Sequence, residues 1–329
     1  MLNHRNIFRF LADGERAGQR MAIATVTRVE GSSIRDPGTH LAIAQDGSFT
    51  GSVSGGCLEA AIVAEAIEVI AAGQPRTVRY GRGSRYIDIR LPCGGAVELL
   101  ISPWPGGDVA QRLLEQFDER RAIKLRLPVD GGAISFHPTD GDFLFSDHAD
   151  HVCVRHPPPL RLVIAGLGTV VDCLRRLATV AGLEAVVLSP DRSLVEACTA
   201  EGNAAYWLKS TTHALPFPLD RWSALAVLFH DHDWEPQMLL DAIASDAMYI
   251  GAMGSRRTHD QRQERLRALG ATEPAIGRIR SPIGILPSLR DPETLAVSTL
   301  CQVIDAMSEA YTASGPARSR PDGNDIATV

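Results

Sequence analysis

The spacing of apolar and polar residues changes near the middle of the chain. In the first half, short alternating segments typical of strands are mixed with segments of helical period. The pattern predicts a helix over about residues 4–18 and a strand over 21–30. Further elements predicted in this half are a hairpin around Asp46-Gly47, a helix over 57–72 ending at Gly73, strands at 76–80, 85–91 and 96–102, a helix near 107–119, and short strands at 122–128, 133–137 and 142–146. Residues 1–150 are therefore expected to form a mixed α+β domain.

The second half alternates near-continuous apolar runs with amphipathic segments. The runs at 161–166, 184–189 and 224–230 are typical of parallel strands that are covered on both faces. Helices are predicted between and after them, at about 169–181, 193–201, 235–245, 258–269 and 291–309. This alternation predicts an α/β fold, a Rossmann-like doubly wound parallel sheet over residues 161–311.

Proline and small polar residues mark the predicted boundaries. Three consecutive prolines at 157–159 favour an extended chain, so a linker is predicted over 151–160. The segment 312–329 is rich in Ser, Gly, Pro, Arg and Asp and is expected to be a disordered tail.

Composition narrows the classes of function. A net charge of −6 over 329 residues supplies no basic field for nucleic acid, and no apolar run is long enough for a membrane span. Six scattered cysteines do not form a disulfide framework, so we expect a cytoplasmic protein with reduced thiols. A homodimer is expected because it is the commonest oligomer.

The first candidate site is a Gly/Ser-rich loop with the sequence GSVSGGCLE at residues 51–59. Ser54, Gly55 and Gly56 can present backbone N–H groups to an anion. Cys57 lies at the start of a predicted helix, where the helix dipole favours the thiolate that attacks sulfur or binds a metal. The structural alternative is a small buried cysteine in a glycine-rich turn.

A second cysteine lies in a similar setting, because Cys93 and Gly94 belong to the segment Pro92-Cys93-Gly94-Gly95 between two predicted strands. If the two cysteine loops converge, they offer soft ligands or a thiol pair around one pocket. Arg35 follows another strand end and is a candidate anion ligand for the same pocket, with a solvated turn as the alternative.

The second domain opens with a glycine turn between a strand and a helix. Gly166 and Gly168 match the dinucleotide-binding pattern, in which a tight turn brings phosphate to a helix N-terminus. Val171 replaces the third glycine, and Ser189 stands where an acidic residue usually binds ribose, with Asp191 two residues later. The alternative is a turn without a ligand.

Two further segments follow apolar strands of this domain. His230 and Asp231, in the sequence HDHD, are candidates for acid–base chemistry or for metal binding, with a hydrated loop as the alternative. Gly251, Gly254, Ser255 and Arg256 form a second glycine turn before a helix. That turn is a candidate anion site, with an ordinary N-capped helix as the alternative.

Taken together, these segments resemble the XdhC/CoxI family of accessory proteins for molybdenum hydroxylases. The matching segments are GSVSGGCLEA (51–60), PCGG (92–95), GLGTVVDCL (166–174), HDHD (230–233), YIGAMGSRRTH (249–259) and RIRSPIGILP (278–287). The resemblance implies a cofactor-handling N-terminal domain and a Rossmann-like C-terminal domain. It implies that Cys57 is the leading residue for cofactor or sulfur, and a candidate molybdenum ligand, with Cys93 second.

The resemblance also implies a function without turnover of its own. The protein would bind molybdenum cofactor, as molybdopterin or its cytosine dinucleotide form, and assist its sulfuration and insertion into xanthine or aldehyde dehydrogenase. A cysteine desulfurase is the kind of sulfur donor implied. The residues leave two alternatives open, an NAD(P)-dependent oxidoreductase that uses the glycine turn and a redox-sensing thiol protein that uses Cys57 and Cys93.

Overall fold

The computed structural model describes residues 4–31, 36–84, 94–141, 144–286 and 289–312. The chain divides between Pro158 and Pro159 into two compact units, called here the first and the second unit. Among the described residues, no helix has both the length and the apolar character needed to cross a bilayer.

The first unit is built on a five-stranded antiparallel sheet in the order β3-β2-β1-β5-β4. Its elements are α1 (His4–Arg16), β1 (Met21–Glu30), β2 (His40–Ala44), β3 (Phe49–Gly51), α2 (Glu59–Ala72), β4 (Arg76–Gly81), β5 (Ala96–Pro103) and α3 (Val109–Asp118). Both faces of β1 are covered. Ile23 belongs to the core formed with α1 and α3, whereas Ala22 and Ala24 belong to the core formed with α2.

A four-stranded antiparallel sheet completes the first unit, in the order β7-β6-β9-β8. Its strands are β6 (Ile123–Pro128), β7 (Ser135–Pro138), β8 (Phe145–Asp147) and β9 (His151–His156). The predicted linker 151–160 is therefore wrong over 151–156. Those residues pair with β6 and β8, and Val152 and Val154 are buried in the core formed with α1 and α3.

Two buried histidines, His40 and His156, lie together with the partly buried His4 in the first unit. The Nε2 atoms of His40 and His156 are 3.1 Å apart, and the hydroxyl of Thr25 lies 2.8 Å from Nδ1 of His40. The ring of His4 packs edge-on against that of His156. Burial lowers the pKa of His4 to about 4 and that of His40 to about 3, and it also lowers the pKa of His156. All three imidazoles are therefore neutral at neutral pH.

The second unit is a six-stranded parallel sheet in the order β12-β11-β10-β13-β14-β15. Its elements are β10 (Arg161–Gly166), α4 (Thr169–Val180), β11 (Glu184–Ser189), α5 (Arg192–Ala200), β12 (Ala204–Trp207), β13 (Ser223–Leu228), α6 (Pro236–Ile243), β14 (Tyr249–Ala252), α7 (Arg256–Ala268), α8 (Glu273–Ile276), β15 (Ile279–Arg280) and α9 (Pro292–Thr312). The order reverses direction at β10, as the doubly wound prediction requires.

Alternate residues of β10 pack on opposite sides of this sheet. Leu162 and Ile164 belong to the core that contains residues of α4 and α9, and Val163 and Ala165 belong to the core that contains residues of α6. Burial on both faces explains the continuous apolar runs. Several sequence predictions fall on residues outside the described part of the chain. They are the predictions for Arg35, Cys93, the strand at 85–91 and the tail beyond Thr312.

Candidate functional site

The loop from Gly51 to Glu59, called here the cysteine loop, is organised around the carboxylate of Glu59. This carboxylate accepts hydrogen bonds from the backbone N–H groups of Val53, Ser54 and Gly56 at 2.9 Å and of Leu58 at 3.2 Å, and from the hydroxyls of Ser52 at 3.3 Å and Ser54 at 2.5 Å. Glu59 is the first residue of α2, so its side chain folds back over the loop that precedes the helix.

These hydrogen bonds keep Glu59 ionised although it is buried. Burial alone would raise the pKa of the carboxyl, but hydrogen bonds from Ser54 and from the amides of Ser54 and Val53 lower it to about 2. The loop amides were predicted to face an external anion. That prediction is wrong for the amides of Ser54 and Gly56, which donate to Glu59, and for that of Gly55, which donates to the Ser52 hydroxyl.

The same hydrogen bonds hold the loop in a conformation that exposes Cys57 to solvent. Val53 and Leu58 are buried in the core beneath α2, whereas Cys57 is exposed. Gly55 and Gly56 have φ angles of 74° and 117°, so the loop needs glycine at both positions to turn back. The alternative reading of Cys57 as a buried core cysteine is therefore wrong.

The second cysteine segment is described only from Gly94 onward. Gly94 has a φ of 65°, and a Cβ built on Gly31 would lie 3.2 Å from the Cα of Gly95. The turn after β1 and the start of β5 therefore touch, as the pairing of Glu30 with Ala96 requires. Convergence of Cys93 and Arg35 on Cys57 stays a prediction.

The turn between β10 and α4 has the predicted strand–glycine–helix geometry. A Cβ on Gly166 would lie 2.7 Å from the carbonyl oxygen of Leu228 on β13, so only glycine fits there. Gly168 is the N-cap of α4 with a φ of 78°, and among the described residues no side chain caps the first turn of that helix. Val171, at the third glycine position, is fully buried in the core of the unit.

The residues expected to bind a ribose have other roles in this unit. Ser189 is fully buried, and its hydroxyl accepts the N–H of Asp191 at 3.1 Å. Asp191 is the N-cap of α5, and its carboxylate accepts from the amides of Ser193 and Leu194. The hydroxyl of Ser193, with these amides, lowers the pKa of Asp191. The acidic group that the oxidoreductase alternative requires is therefore already engaged.

The HDHD segment is divided between loop and structural roles. His230 is exposed, and Asp231 caps a short 3₁₀ turn by accepting the N–H of Asp233 at 3.1 Å. Acid–base chemistry by Asp231 would therefore use the same carboxylate that forms this cap. His232 of the same segment lies 2.8 Å through Nδ1 from the carboxylate of the buried Glu235, a residue that sequence reasoning passed over.

Glu235 also forms a buried ion pair with Arg262 of α7. The guanidinium donates to both carboxylate oxygens, at 2.7 and 3.2 Å, and to the carbonyl of Met253 at 2.7 Å. A cavity of about 150 Å³ lies beside this pair. It is lined by His232, Glu235, Pro236, Leu239, Thr258, Gln261, Arg262, Arg265 and Leu266.

The glycines before α7 have packing roles. A Cβ on Gly251 would overlap the hydroxyl of Tyr249 at 2.2 Å, and one on Gly254 would lie 2.8 Å from the methyl of Thr258. Ser255 caps α7 by accepting the N–H of Thr258, and Arg256 is exposed. These contacts account for the motif as an N-capped helix, and anion binding by Arg256 stays a prediction.

Sequence reasoning also missed an exposed aromatic residue at the end of β12. The side chain of Trp207 is 43% exposed, and the cationic groups of Arg192 and Lys209 lie 5.5 and 5.4 Å from its ring. Trp207 pairs with Ser189 at the carboxyl ends of β12 and β11, and ligands of open α/β folds bind at this end of the strands. The signal available in the sequence was the aromatic pair Tyr206-Trp207 followed by Lys209, and the approach of Arg192 depends on the fold.

Comparisons with known proteins agree with this architecture. A family model described as the XdhC and CoxI family matches residues 15–81, and one described as the XdhC Rossmann domain matches residues 162–303. A crystal structure described as a xanthine dehydrogenase from Bacillus halodurans has a TM-score of 0.75 at 22% identity, covering 94% of this chain and 98% of that one. At this identity the likeness supports the fold alone.

Two proteins of Escherichia coli (strain K12) are similar in sequence. The molybdenum cofactor insertion chaperone PaoD is 31% identical over 301 residues, which cover 92% of this chain and 88% of PaoD. YqeB is 22% identical over 333 residues, 98% of this chain and 50% of that protein. Because the family models match both units and the likeness to PaoD extends over nearly the whole of each protein, this chain belongs to the XdhC and CoxI family.

Proposed function

We propose that this protein binds molybdenum cofactor and inserts it into a molybdenum hydroxylase. The observation that carries the proposal is the exposed Cys57 on a loop held by the buried Glu59 carboxylate. The similarity to a molybdenum cofactor insertion chaperone over nearly the whole chain supports it.

In this proposal Cys57 is the residue that meets the cargo. A cysteine thiolate is a soft ligand that suits a molybdenum centre. Cysteine on a solvent-facing loop can also release what it holds, which a carrier requires. Glu59 is a positioning residue, because its carboxylate accepts hydrogen bonds from the loop amides and hydroxyls.

The glycine turn of the second unit is our candidate for a phosphate of the cofactor. No side chain of the described residues caps the first turn of α4, and a Cβ built on Gly168 would meet nothing within 4 Å. Backbone N–H groups at such a helix start favour anions. The proposal includes either form of the cofactor, molybdopterin or the cytosine dinucleotide.

We also propose the finer features of the pathway. The client is a molybdenum hydroxylase such as xanthine or aldehyde dehydrogenase, and a cysteine desulfurase supplies the sulfur that the bound cofactor receives. The protein acts in the cytoplasm as a homodimer and has no turnover of its own.

Cofactor retention tests this proposal. The purified full chain is mixed with molybdenum cofactor, free ligand is removed by gel filtration, and bound pterin is measured by fluorescence after oxidation. We expect near-stoichiometric pterin on the wild type and at least about tenfold less on Cys57→Ala. Cys301→Ala, which removes another exposed cysteine on α9, is the matched control and should retain pterin fully.

The opposite pattern would refute the proposal. Pterin that stays equally on Cys57→Ala would remove Cys57 from the site. A wild type that retains no pterin but binds NAD(P)H would favour the oxidoreductase alternative.

A further inference from the structure

The hairpin of β8 and β9 carries a group of metal-ligating side chains. His148, His151 and Cys153 each offer one ligand atom, and these atoms all lie within 4.8 Å of one another. The amide of His148 donates to the carbonyl of His151 at 3.0 Å and closes the turn between them. Three ligands within six residues therefore surround one tight turn.

Neighbouring side chains orient both imidazoles. Nδ1 of His151 lies 2.7 Å from the carboxylate of Asp150, which leaves Nε2 of that ring free to ligate. Nε2 of His148 lies 3.1 Å from the hydroxyl of Ser146, which leaves Nδ1. Metal-bound histidines commonly have such a partner on the other nitrogen, because it selects the tautomer and the ring orientation.

The carboxylate that orients His151 is itself held by a charge. Arg126 of β6 forms an ion pair with Asp150 at 3.1 Å, and Arg126 pairs with Cys153 across the strands. The two histidine rings are stacked with centroids 4.5 Å apart, so one ring must turn out of the stack for both to direct a nitrogen at the same ion. The histidines and their orienting groups thus meet on one small patch of the sheet.

Cys153 gives the group its chemical character. It is only 4% exposed and lies between Val152 and Val154, which face the core, so its side chain points to the opposite face of the strand. A thiolate with two imidazoles is a donor set suited to zinc, whose fourth position is then open to water.

We propose that His148, His151 and Cys153 form a zinc site that joins β8 to β9. Tetrahedral zinc with bonds of about 2.0–2.3 Å needs ligand atoms roughly 3.3–3.8 Å apart, so the group closes by about 1 Å on binding. The ion supplements the pairing of β8, a strand of only three residues, with its neighbour. The site is independent of cofactor binding at Cys57.

Cobalt substitution tests the site in the full chain. Reduced protein is freed of metal with a chelator and titrated with Co²⁺. We expect one Co²⁺ per chain, with a thiolate-to-cobalt charge-transfer band and the visible bands of tetrahedral cobalt. Zn²⁺ should displace the cobalt stoichiometrically and raise the melting temperature.

Variants on and off the hairpin locate the ligands. Cys153→Ser should abolish the charge-transfer band, and His148→Gln should weaken Zn²⁺ binding at least about tenfold. Asp150→Asn keeps all three ligands and should weaken binding about tenfold, so it tests the site even if Cys153→Ser folds poorly. Matched controls are Cys57→Ser and His137→Gln, which change an exposed cysteine and an exposed histidine of the same unit.

Two outcomes would overturn the proposal. One is a charge-transfer band that is lost in Cys57→Ser and kept in Cys153→Ser. The other is a Zn²⁺ affinity that is the same in the wild type, His148→Gln and Asp150→Asn, because binding would then be adventitious.

Discussion

The two units hold their glycine-rich loops in different ways. In the first unit, an ionised side chain, Glu59, collects the amides of the loop before α2. In the second unit, the turn before α4 is formed by close backbone contact at Gly166, and no side chain in the described part of the chain caps the helix. Similar sequences therefore produce one loop whose amides are already paired and one whose helix start has no side-chain partner.

This difference shows that glycine alone does not make an anion site. The amides of a Gly/Ser loop are available to a ligand only if no neighbouring carboxylate reaches them first. In the cysteine loop, the Glu59 carboxylate accepts the amide hydrogen bonds itself. It thereby fixes the loop in a conformation that leaves the thiol of Cys57 exposed.

The largest expected difference between the units is their response to acid. The pKa values of His4 and His40 are lowered to about 4 and about 3, so the folded first unit does not bind protons that the unfolded chain binds below pH 6.5. The stability that these neutral histidines contribute is present above pH 6.5 and is lost as pH falls. His4 and His40 each lower the free energy of unfolding by about 2 kcal/mol at pH 5 relative to pH 7.

Two buried cysteines can report this response separately. Urea midpoints are measured at pH 7 and pH 5 from the reaction of Cys153, in the first unit, and Cys198, in the second, with a thiol reagent that is active in acid. The midpoint for Cys153 should fall further, and His40→Gln should reduce that fall. Midpoints that move in parallel would contradict the prediction.

Substitution Glu59→Gln tests the anchor of the first loop. The amide presents N–H groups to the loop amides and removes the charge that they stabilise, so the first unit should lose about 3 kcal/mol of unfolding free energy. Hydrogen exchange of the amides of residues 53–58 should accelerate. Glu68→Gln, on an exposed surface of the same helix, is the control and should cost at most about 0.5 kcal/mol.

The same variant gives a second check through pH. Glu59 has a pKa of about 2 in the folded protein and near 4.5 when unfolded, so it is ionised in both states at neutral pH. Its stabilisation is complete above about pH 4.5 and is lost only as pH falls from there toward 2. The gap between wild type and Glu59→Gln should therefore stay constant from pH 8 to pH 5.5, and a gap that shrinks over this range would be inconsistent with Glu59 as the anchor.

Substitution Gly166→Ala tests the close contact that forms the second loop. Its Cβ would lie 2.7 Å from the backbone oxygen of Leu228, and a backbone atom cannot move away cheaply. We expect a loss of about 2 kcal/mol in the unfolding free energy of the second unit, measured in urea through Cys198. An unchanged midpoint would show that β10 and β13 separate easily at this end.

The smallest effect on stability is expected for Gly168→Ala. Its Cβ would point into open space, so the cost of about 1–2 kcal/mol comes from the backbone alone, because a φ of 78° with a ψ of −166° is a conformation found almost only for glycine. If the start of α4 binds a phosphate of the cofactor, pterin retention should nevertheless fall severalfold. Asp191→Ala is the control, because it removes the N-cap of α5 at a similar cost and should leave retention unchanged.

Hydrophobic periodicity predicted most of the fold. The strand at 21–30, the helix ending at Gly73 and the strands at 161–166 and 184–189 match β1, α2, β10 and β11. The prediction was wrong at β9, because the prolines that follow it suggested a linker. Proline limits only its own position and its neighbour, so 151–156 was free to pair as a strand.

Neighbouring residues in the chain specify the local geometry and the reactive groups that are available. Glycines at 55, 56, 166 and 168, an adjacent cysteine, and strand–turn–helix order all follow from neighbours in the chain. Which of these groups come into contact depends on how the folded chain packs. The return of the Glu59 side chain over its own loop, the meeting of His40 with His156 and the contact of Gly166 with Leu228 depend on packing between distant or folded-back segments. Only packing determines which polar groups find partners, and residue spacing in a linear sequence carries no direct record of it.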